Sequence, residues 1–358
     1  MANGISIHVG VNNLDPLVFN ILLLPGLKGC ENDAREMFNI AKNRFNFMAR
    51  DPFLGPNAKF ENVVPAILAA AAELENGGIF LFTFSGHGSQ RPDTNHDEAD
   101  GKDEGIVLFD RILIDDFLRR NLWSQFKPGV RIVGVADCCH GGTALFASLL
   151  GPHEPVGLPI PGPITTHTSA ITMSALSAQP SAAVAPRVEN LNRASMPQEK
   201  EQSRGERGPW VPPPSPRLLS ATGMTTEAKE TKGNPIVREI SNTVRDDHFG
   251  RLPDFYDKLD KSLLTGDDAT LKADLLTLSA CQDMETTPDG EPNGQFTQAL
   301  LEVLKAESLP ASYDDFLWGI EDNLRRKGLT PPPTPVLTPD APKPEFRAQQ
   351  PFRIEVDL

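Results

Sequence analysis

Two short segments of this 358-residue chain combine residue types that do covalent chemistry, Ser85-Gly86-His87-Gly88 and Asp137-Cys138-Cys139-His140-Gly141-Gly142. A cysteine attacks as its thiolate, and an imidazole within reach supplies the base that takes the proton. Each segment comes directly after a short apolar run, Ile79 to Phe84 and Arg131 to Ala136, of a length that fits a buried strand. In an open parallel sheet the crevice for chemistry lies outside the carboxyl ends of the strands. His87 and the cysteine pair therefore face each other if their strands are neighbours.

The elements that would position them alternate. Further strands are expected at Ile5 to Val11, Ile106 to Phe109 and Leu275 to Ala280. Helices are expected at Asn32 to Ala41, Glu61 to Leu74, Asp115 to Trp123, Gln295 to Ala306 and Ser312 to Arg326, where apolar residues recur at helical spacing. Such alternation predicts an α/β fold, a mainly parallel sheet with helices on both faces. Proline breaks it twice. Residues 151–235 hold 14 prolines and one aromatic, Trp210, which is too little apolar surface to offset chain entropy, so a long irregular insertion is expected between two halves, 1–150 and 236–330. Residues 331–358 form a proline-rich tail, extended over the surface and ending in a strand-like alternation at Phe352-Arg353-Ile354-Glu355-Val356.

Composition narrows the function. Lys+Arg of 34 against Asp+Glu of 48 gives a net charge of −14, which supplies no basic field for nucleic acid or anionic lipid. The first cation is Lys28, and the longest apolar run, Val63 to Ala72, contains Pro65, so neither a signal peptide nor a membrane span is expected. Four cysteines, Cys30, Cys138, Cys139 and Cys281, are too sparse for a disulfide framework and suit free thiols in a reducing, cytoplasmic setting. No oligomerisation segment is evident, which favours a monomer.

The His87 to Cys139 separation of 52 residues is close to the roughly 50 between histidine and nucleophile in caspases. The resemblance extends beyond these two words. Asp100-Gly101-Lys102-Asp103-Glu104, Ile114-Asp115-Asp116, Gly29-Cys30-Glu31-Asn32-Asp33-Ala34, Leu278-Ser279-Ala280-Cys281-Gln282-Asp283 and Gly294-Gln295-Phe296-Thr297 all stand in the order of the family. The sequence resembles the caspase-like cysteine peptidases of the metacaspase and bacterial orthocaspase kind, over 1–146 and 236–330. The resemblance implies Cys139 as nucleophile, His87 as general base and acid, and the backbone N–H groups of Gly88 and Cys139 as oxyanion donors. It implies that Cys30, Asp33, Ser85 and Asp137 line the S1 pocket, whose two carboxylates select Arg or Lys at P1 of a protein or peptide substrate. Cys138, turned away by the strand alternation, is expected to pack.

No cofactor is required for such chemistry, although the resemblance implies calcium at Asp103, Asp115 and Asp116. Two departures stand out: Phe146 replaces a further family carboxylate, and Gly141 replaces the serine that usually comes after the Cys-His pair. Alternatives remain open for several residues. Cys30 and Cys281 either pack beside the pocket or touch substrate; the acidic run from Asp93 to Asp116 is either a cation site or a solvated loop; Asp283 either orients substrate or caps its loop. A catalytically silent scaffold that binds partners is the competing function. The resemblance also implies self-processing in the insertion, at the basic residues Arg187, Arg193, Lys200, Arg204, Arg207, Arg217, Lys229 and Lys232, with sites such as Arg193 or Arg204 favoured over Arg217 beside its proline run.

Overall fold

Hydrophobic residues alternate between two cores along each central strand. The pleat sends Phe80, Phe82 and Phe84 of one strand to one face, and Ile79 and Leu81 to the other. The computed structural model describes residues 3–93, 101–139, 145, 236–264, 271–281, 287–328, 335–339 and 344–354. Its main sheet has seven strands: β1 (Gly4–Gly10), β2 (Met48–Ala49), β3 (Phe53–Leu54), β4 (Ile79–Ser85), β8 (Arg131–Asp137), β9 (Asp274–Ser279) and β10 (Val336–Pro339). The order is β10-β9-β8-β4-β1-β2, with β3 also pairing β1, and every pair is parallel except β9 with β10. The expected mainly parallel sheet is present. A separate antiparallel sheet joins β5 (Gly88–Pro92), β6 (Lys102–Val107) and β7 (Ile112–Ile114).

Helices cover both faces. Helices α1 (Cys30–Arg44), α6 (Gln295–Lys305) and α7 (Tyr313–Arg326) pack over Leu81, Val133, Val135, Leu276 and Leu278. Helix α2 (Phe60–Glu73), the short α3 (Asp115–Phe117) with its π-helical continuation Leu118–Leu122, and α5 (Pro253–Leu264) cover the other face with Trp123 and Phe126. Helix α4 (Asn242–Arg251) precedes α5, and α8 (Pro344–Arg347) lies in the tail. Under α1, three polar groups are buried together: the two ring nitrogens of His8 bond the Thr83 and Ser6 hydroxyls, each at 2.9 Å. Burial pushes the His8 imidazole down to about 3, so the trio is uncharged at neutral pH.

Three expectations are corrected. The strand placed at Ile106 to Phe109 starts earlier, at Lys102, and turns back through β7, because Gly105 lets the two strands approach closely: a Cβ there would lie 2.8 Å from the Leu113 carbonyl. The helix expected from Asp115 to Trp123 is α-helical only to Phe117. The tail does not end in a strand over its described residues; Arg353 and Ile354 come after a turn at Phe352, whose φ of 59° is left-handed, and the tail strand is instead β10, antiparallel to β9, with Leu337 buried. Helices α4 and α5 were not anticipated. The insertion 151–235 lies outside the described residues.

The turn at Phe352 is held by packing. Its ring is 1% exposed and meets Phe45, Tyr313 and Phe316 edge-on, while its N–H donates to the Tyr313 hydroxyl at 3.0 Å. Phe352→Ala is expected to destabilise the fold by about 3–5 kcal/mol. A loss below about 1 kcal/mol in urea titration would show that the tail is not part of the cooperative unit.

Candidate active site

Strand register brings the two chemical segments together. β4 and β8 pair in parallel from Ile79↔Arg131 to Ser85↔Asp137, so His87 and Cys139 stand at the same offset, two residues past the last matched pair. The ends are in contact: a Cβ on Gly88 would lie 1.9 Å from the Cys139 carbonyl oxygen, so only glycine fits there. Both side chains are buried. The Thr287 N–H donates to Cys139 Sγ at 3.2 Å, and His87 lines a cleft of about 230 Å³ with Asn12, Leu14, Ile21, Leu24 and Pro25.

The four expected pocket residues converge on one side chain, the Arg238 guanidinium, which is fully buried. Its Nη1 donates to Ser85 Oγ at 2.8 Å and ion-pairs with Asp137 Oδ1 at 2.8 Å; its Nη2 reaches Asp33 Oδ2 at 3.0 Å. Cys30 is buried as a neutral thiol, close enough for the guanidinium charge to act on its titration. A third carboxylate, Asp289, takes Nη2 at 3.0 Å and Nε at 3.3 Å. The carboxylates are held in turn. Asp33, in the first turn of α1, accepts from Asn293 Nδ2 at 2.9 Å and the Gly294 N–H at 3.0 Å, while Asp137 accepts from the Thr297 hydroxyl at 2.6 Å and N–H at 3.0 Å at the start of α6. Gly294 leaves the space the guanidinium fills: a Cβ there would lie 2.4 Å from Arg238 Nη2 and 2.5 Å from Asp137 Oδ2.

The Arg238 main chain is held as firmly as its side chain. Its N–H donates to the Thr287 carbonyl at 3.1 Å, the Asp289 N–H donates to the Ile236 carbonyl at 2.8 Å, and Val237 forms an antiparallel bridge with Pro288. Its carbonyl oxygen accepts from the N–H groups of Gly88 at 2.8 Å and Cys139 at 3.1 Å, the two groups expected to act as oxyanion donors.

Protonation is set by burial. Desolvation pushes His87 down to about 4, the Arg238 charge acts in the same direction, and Asp289 with the nearby Pro25 and Glu239 carbonyls pulls weakly the other way without reaching hydrogen-bond geometry. Burial pushes the Cys139 thiol up, against the Thr287 N–H bond. The resting groups are a thiol and a neutral imidazole. Asp33 is pushed up to about 6 by burial, against the pull of Arg238 and with the help of the Asp137 charge. Burial likewise raises the Cys30 and Cys138 thiols. Cys138 packs in the core, and its carbonyl accepts from Cys281 Sγ at 3.6 Å.

The three residues expected to ligate a cation, Asp103, Asp115 and Asp116, are buried. Asp103 pairs with Arg91 at 2.8 Å, and Asp115 accepts the Asp116 N–H at 2.9 Å. Among the described residues no group of three or more His, Cys, Asp or Glu side chains could hold a metal ion. Residues 94–100 lie outside the described residues, as do His140, Gly141, Phe146, Asp283 and every basic residue from Arg187 to Lys232. Sequence reasoning missed Arg238, Thr287, Asp289 and Asn293. The signal available for Asp289 was its place in Thr287-Pro288-Asp289-Gly290, just ahead of the Gly294 motif; for Arg238 it was two β-branched residues, Ile236 and Val237, leading into a lone cation.

Comparison with known proteins agrees with the geometry. The chain is 32% identical over 133 residues to Metacaspase-1 of Plasmodium falciparum and to Metacaspase-1A of Aspergillus terreus, matches covering 33% of this chain and 22% and 32% of those proteins. The match thus spans a third or less of these relatives' length. A crystal structure of a protein from Geobacter sulfurreducens superposes with a TM-score of 0.64 at 28% identity, over 98% of this chain and 99% of that one. No helix among the described residues is long and apolar enough to cross a membrane. The sequence profile of the caspase domain matches residues 16–341, and the chain belongs to that peptidase family.

Proposed function

We propose that the protein is a cysteine endopeptidase that cuts after arginine, and more weakly after lysine, with Cys139 as nucleophile and His87 as base and acid. One observation carries this reading: a buried arginine lies with its guanidinium among Asp33, Asp137 and Asp289 and its carbonyl between two backbone N–H donors beside the thiol. A substrate would lie as Ile236 to Arg238 does, adding an extended segment against Thr287 to Asp289. The planar guanidinium fork meets oxygens on several sides, which an ammonium cannot match.

The resting protonation states dictate the steps. His87 takes the Sγ proton as sulfur attacks the carbonyl carbon, and the two N–H groups stabilise the oxygen as it gains charge. The C–N bond breaks, His87 gives its proton to the departing amine, and a thioester remains on Cys139. The cleft beside His87 has room for the water that then attacks, releasing a carboxylate and restoring the thiol. The chain's own groups suffice for every step. Four free, buried thiols support a reducing, cytoplasmic setting.

Three outcomes are expected in a fluorogenic assay with Arg-P1 peptides. Cys139→Ala abolishes hydrolysis, His87→Ala lowers it roughly 10²–10⁴-fold, and Cys138→Ala retains most of it; a dead Cys138→Ala beside an active Cys139→Ala would reverse the assignment. Asp33→Ala and Asp137→Ala each cost about 2–5 kcal/mol, roughly 30-fold to several thousandfold, and full activity in both would remove the pocket assignment. Gly294→Ala crowds both the guanidinium and Asp137, so it is expected to lower the melting temperature and to raise KM for the Arg peptide sharply, and an unchanged KM would show that the substrate guanidinium lies elsewhere.

The pocket also sets a pH dependence. A proton and a cation compete for Asp33, whose carboxyl burial raises to about 6 even with the Arg238 guanidinium pulling it down, so KM for the Arg peptide rises as pH falls from neutrality. Asp33→Asn flattens this rise. A KM constant across the range would exclude Asp33 from substrate binding.

A further inference from the structure

The cleft beside His87 has an apolar wall supplied by one segment of the chain. Leu14, Ile21, Leu24 and Pro25 line it with Asn12, and among the described residues no Asp, Glu, Lys or Arg side chain does. Asn12 has little polarity left to offer, because its amide oxygen accepts the Glu31 N–H at 3.2 Å and its amide nitrogen donates to the Lys28 carbonyl at 3.3 Å. The apolar character continues outward. Ile21, Leu22 and Leu23 form a single 3-10 turn and all three are exposed, Leu22 to 92%. Large apolar side chains gathered in water at one place mark a binding surface.

The segment is braced, so these side chains cannot fold away. Leu14 and Phe19 are buried; the Asp15 N–H donates to the Phe109 carbonyl at 2.8 Å, and the Leu27 N–H to the Asn12 carbonyl at 2.9 Å. His248 of α4 stacks on Phe19 with ring centres 3.9 Å apart, and its Nδ1 donates to the Val18 carbonyl at 3.0 Å. The position of the cleft relative to the cut bond follows from its neighbours. Residues before the pocket arginine run along Thr287 to Asp289, neither of which lines the cleft. What does line it is His87, the group that hands a proton to the departing amine, and the Glu239 carbonyl, one residue past Arg238, lies near the same ring. The cleft therefore opens toward the half of the substrate that leaves first.

From this geometry we infer that the cleft is a specificity pocket for the leaving half of the substrate, taking a large aliphatic side chain from one of the first two residues after the cut bond, with Ile21 and Leu24 as its contacts. The inference rests on the proposed roles of Cys139 and His87. A space of about 230 Å³ holds several waters at about 30 Å³ each. An aliphatic side chain releases them from mostly apolar walls, whereas a carboxylate or an ammonium would give up its hydration and find no opposite charge. When the amine half departs the cleft empties again, and the water that cleaves the thioester enters by the same space.

The test uses the full-length protein and internally quenched peptides that are identical through an Arg at P1 and carry two leucines, two aspartates or two lysines directly after it. A coumarin amide of Arg, which has no residue beyond the cut bond, is the reference. The dileucine peptide is expected to exceed both charged ones in kcat/KM by roughly 10–100-fold. Ile21→Lys is expected to turn the preference between the charged peptides toward aspartate and Ile21→Asp toward lysine, a redirection that loss of folding cannot imitate. Leu17→Ser, exposed but outside the cleft lining, keeps the wild-type ratios. Equal kcat/KM for the three peptides, a dileucine preference untouched in both Ile21 variants, or its loss in Leu17→Ser would overturn the inference, and continued hydrolysis of the Arg amide would leave the peptidase reading standing. If neither the amide nor any peptide is cut, the peptidase reading fails and takes this inference with it.

Discussion

Parallel pairing of β4 with β8 without a bulge is the constraint on which the site depends. Seven consecutive matched pairs, ending at Ser85↔Asp137, put the residues just beyond each strand at the same height above the sheet. A slip of one residue would turn every side chain to the opposite face, burying Thr83 among phenylalanines and carrying Phe82 under α1. The two segregated cores forbid that slip, because the residues on each face are matched to different helices. Packing far below the site therefore fixes the relative positions of an imidazole and a thiol that have no covalent reason to meet.

The acidic pocket is a second-order result of the same geometry. Asp137 ends β8, Ser85 ends β4, and Asp33 lies in the first turn of the helix after β1, so two neighbouring strands and the helix that follows a third each contribute one acceptor. Burying such groups together is costly unless a cation joins them or donors surround them. Both remedies are present. Asn293, Gly294 and Thr297 hold the carboxylates at the start of α6, where the helix terminus favours negative charge, and the guanidinium offsets the remainder. A carboxylate at the guanidinium's place would stand beside the carboxyls of Asp33, Asp137 and Asp289.

How much of this was legible in the sequence depended on whether the signal was local. His87 and Cys139 sit in short motifs just past strongly apolar strands, so type and spacing sufficed to pair them, whereas Asp33, Ser85 and Asp137 were grouped through the family resemblance of their motifs. Asp289 and Thr287 sit in a loop whose place is fixed by residues distant in the sequence: Cys139, the Ile236 to Arg238 segment, and the Lys28 and Gly29 N–H groups, which donate to Asp289 at 2.7 and 3.4 Å. The local motif around Asp289 marks a turn, and the partners themselves lie far off in the sequence. Helix α4 escaped notice because only Val244 and His248 of its ten residues are buried, which leaves no periodic stripe to read. The small sheet was hidden for the opposite reason: the carboxylates of Asp103 and Glu104 suggested a cation loop, whereas Arg91 beside Asp103 and Gln90 beside Glu104 make those residues ordinary cross-strand partners.

The rims of the main sheet have a further consequence. On one side β10 carries Pro339 within the strand and comes directly after Pro335; on the other, β2 and β3 are two residues each. Proline lacks the N–H that a neighbouring strand would need, and a two-residue strand offers hardly any ladder to extend. Both rims are therefore poor templates for another backbone, so growth of the sheet from molecule to molecule, the usual route by which exposed β-edges aggregate, is obstructed at each end by the chain's own covalent structure.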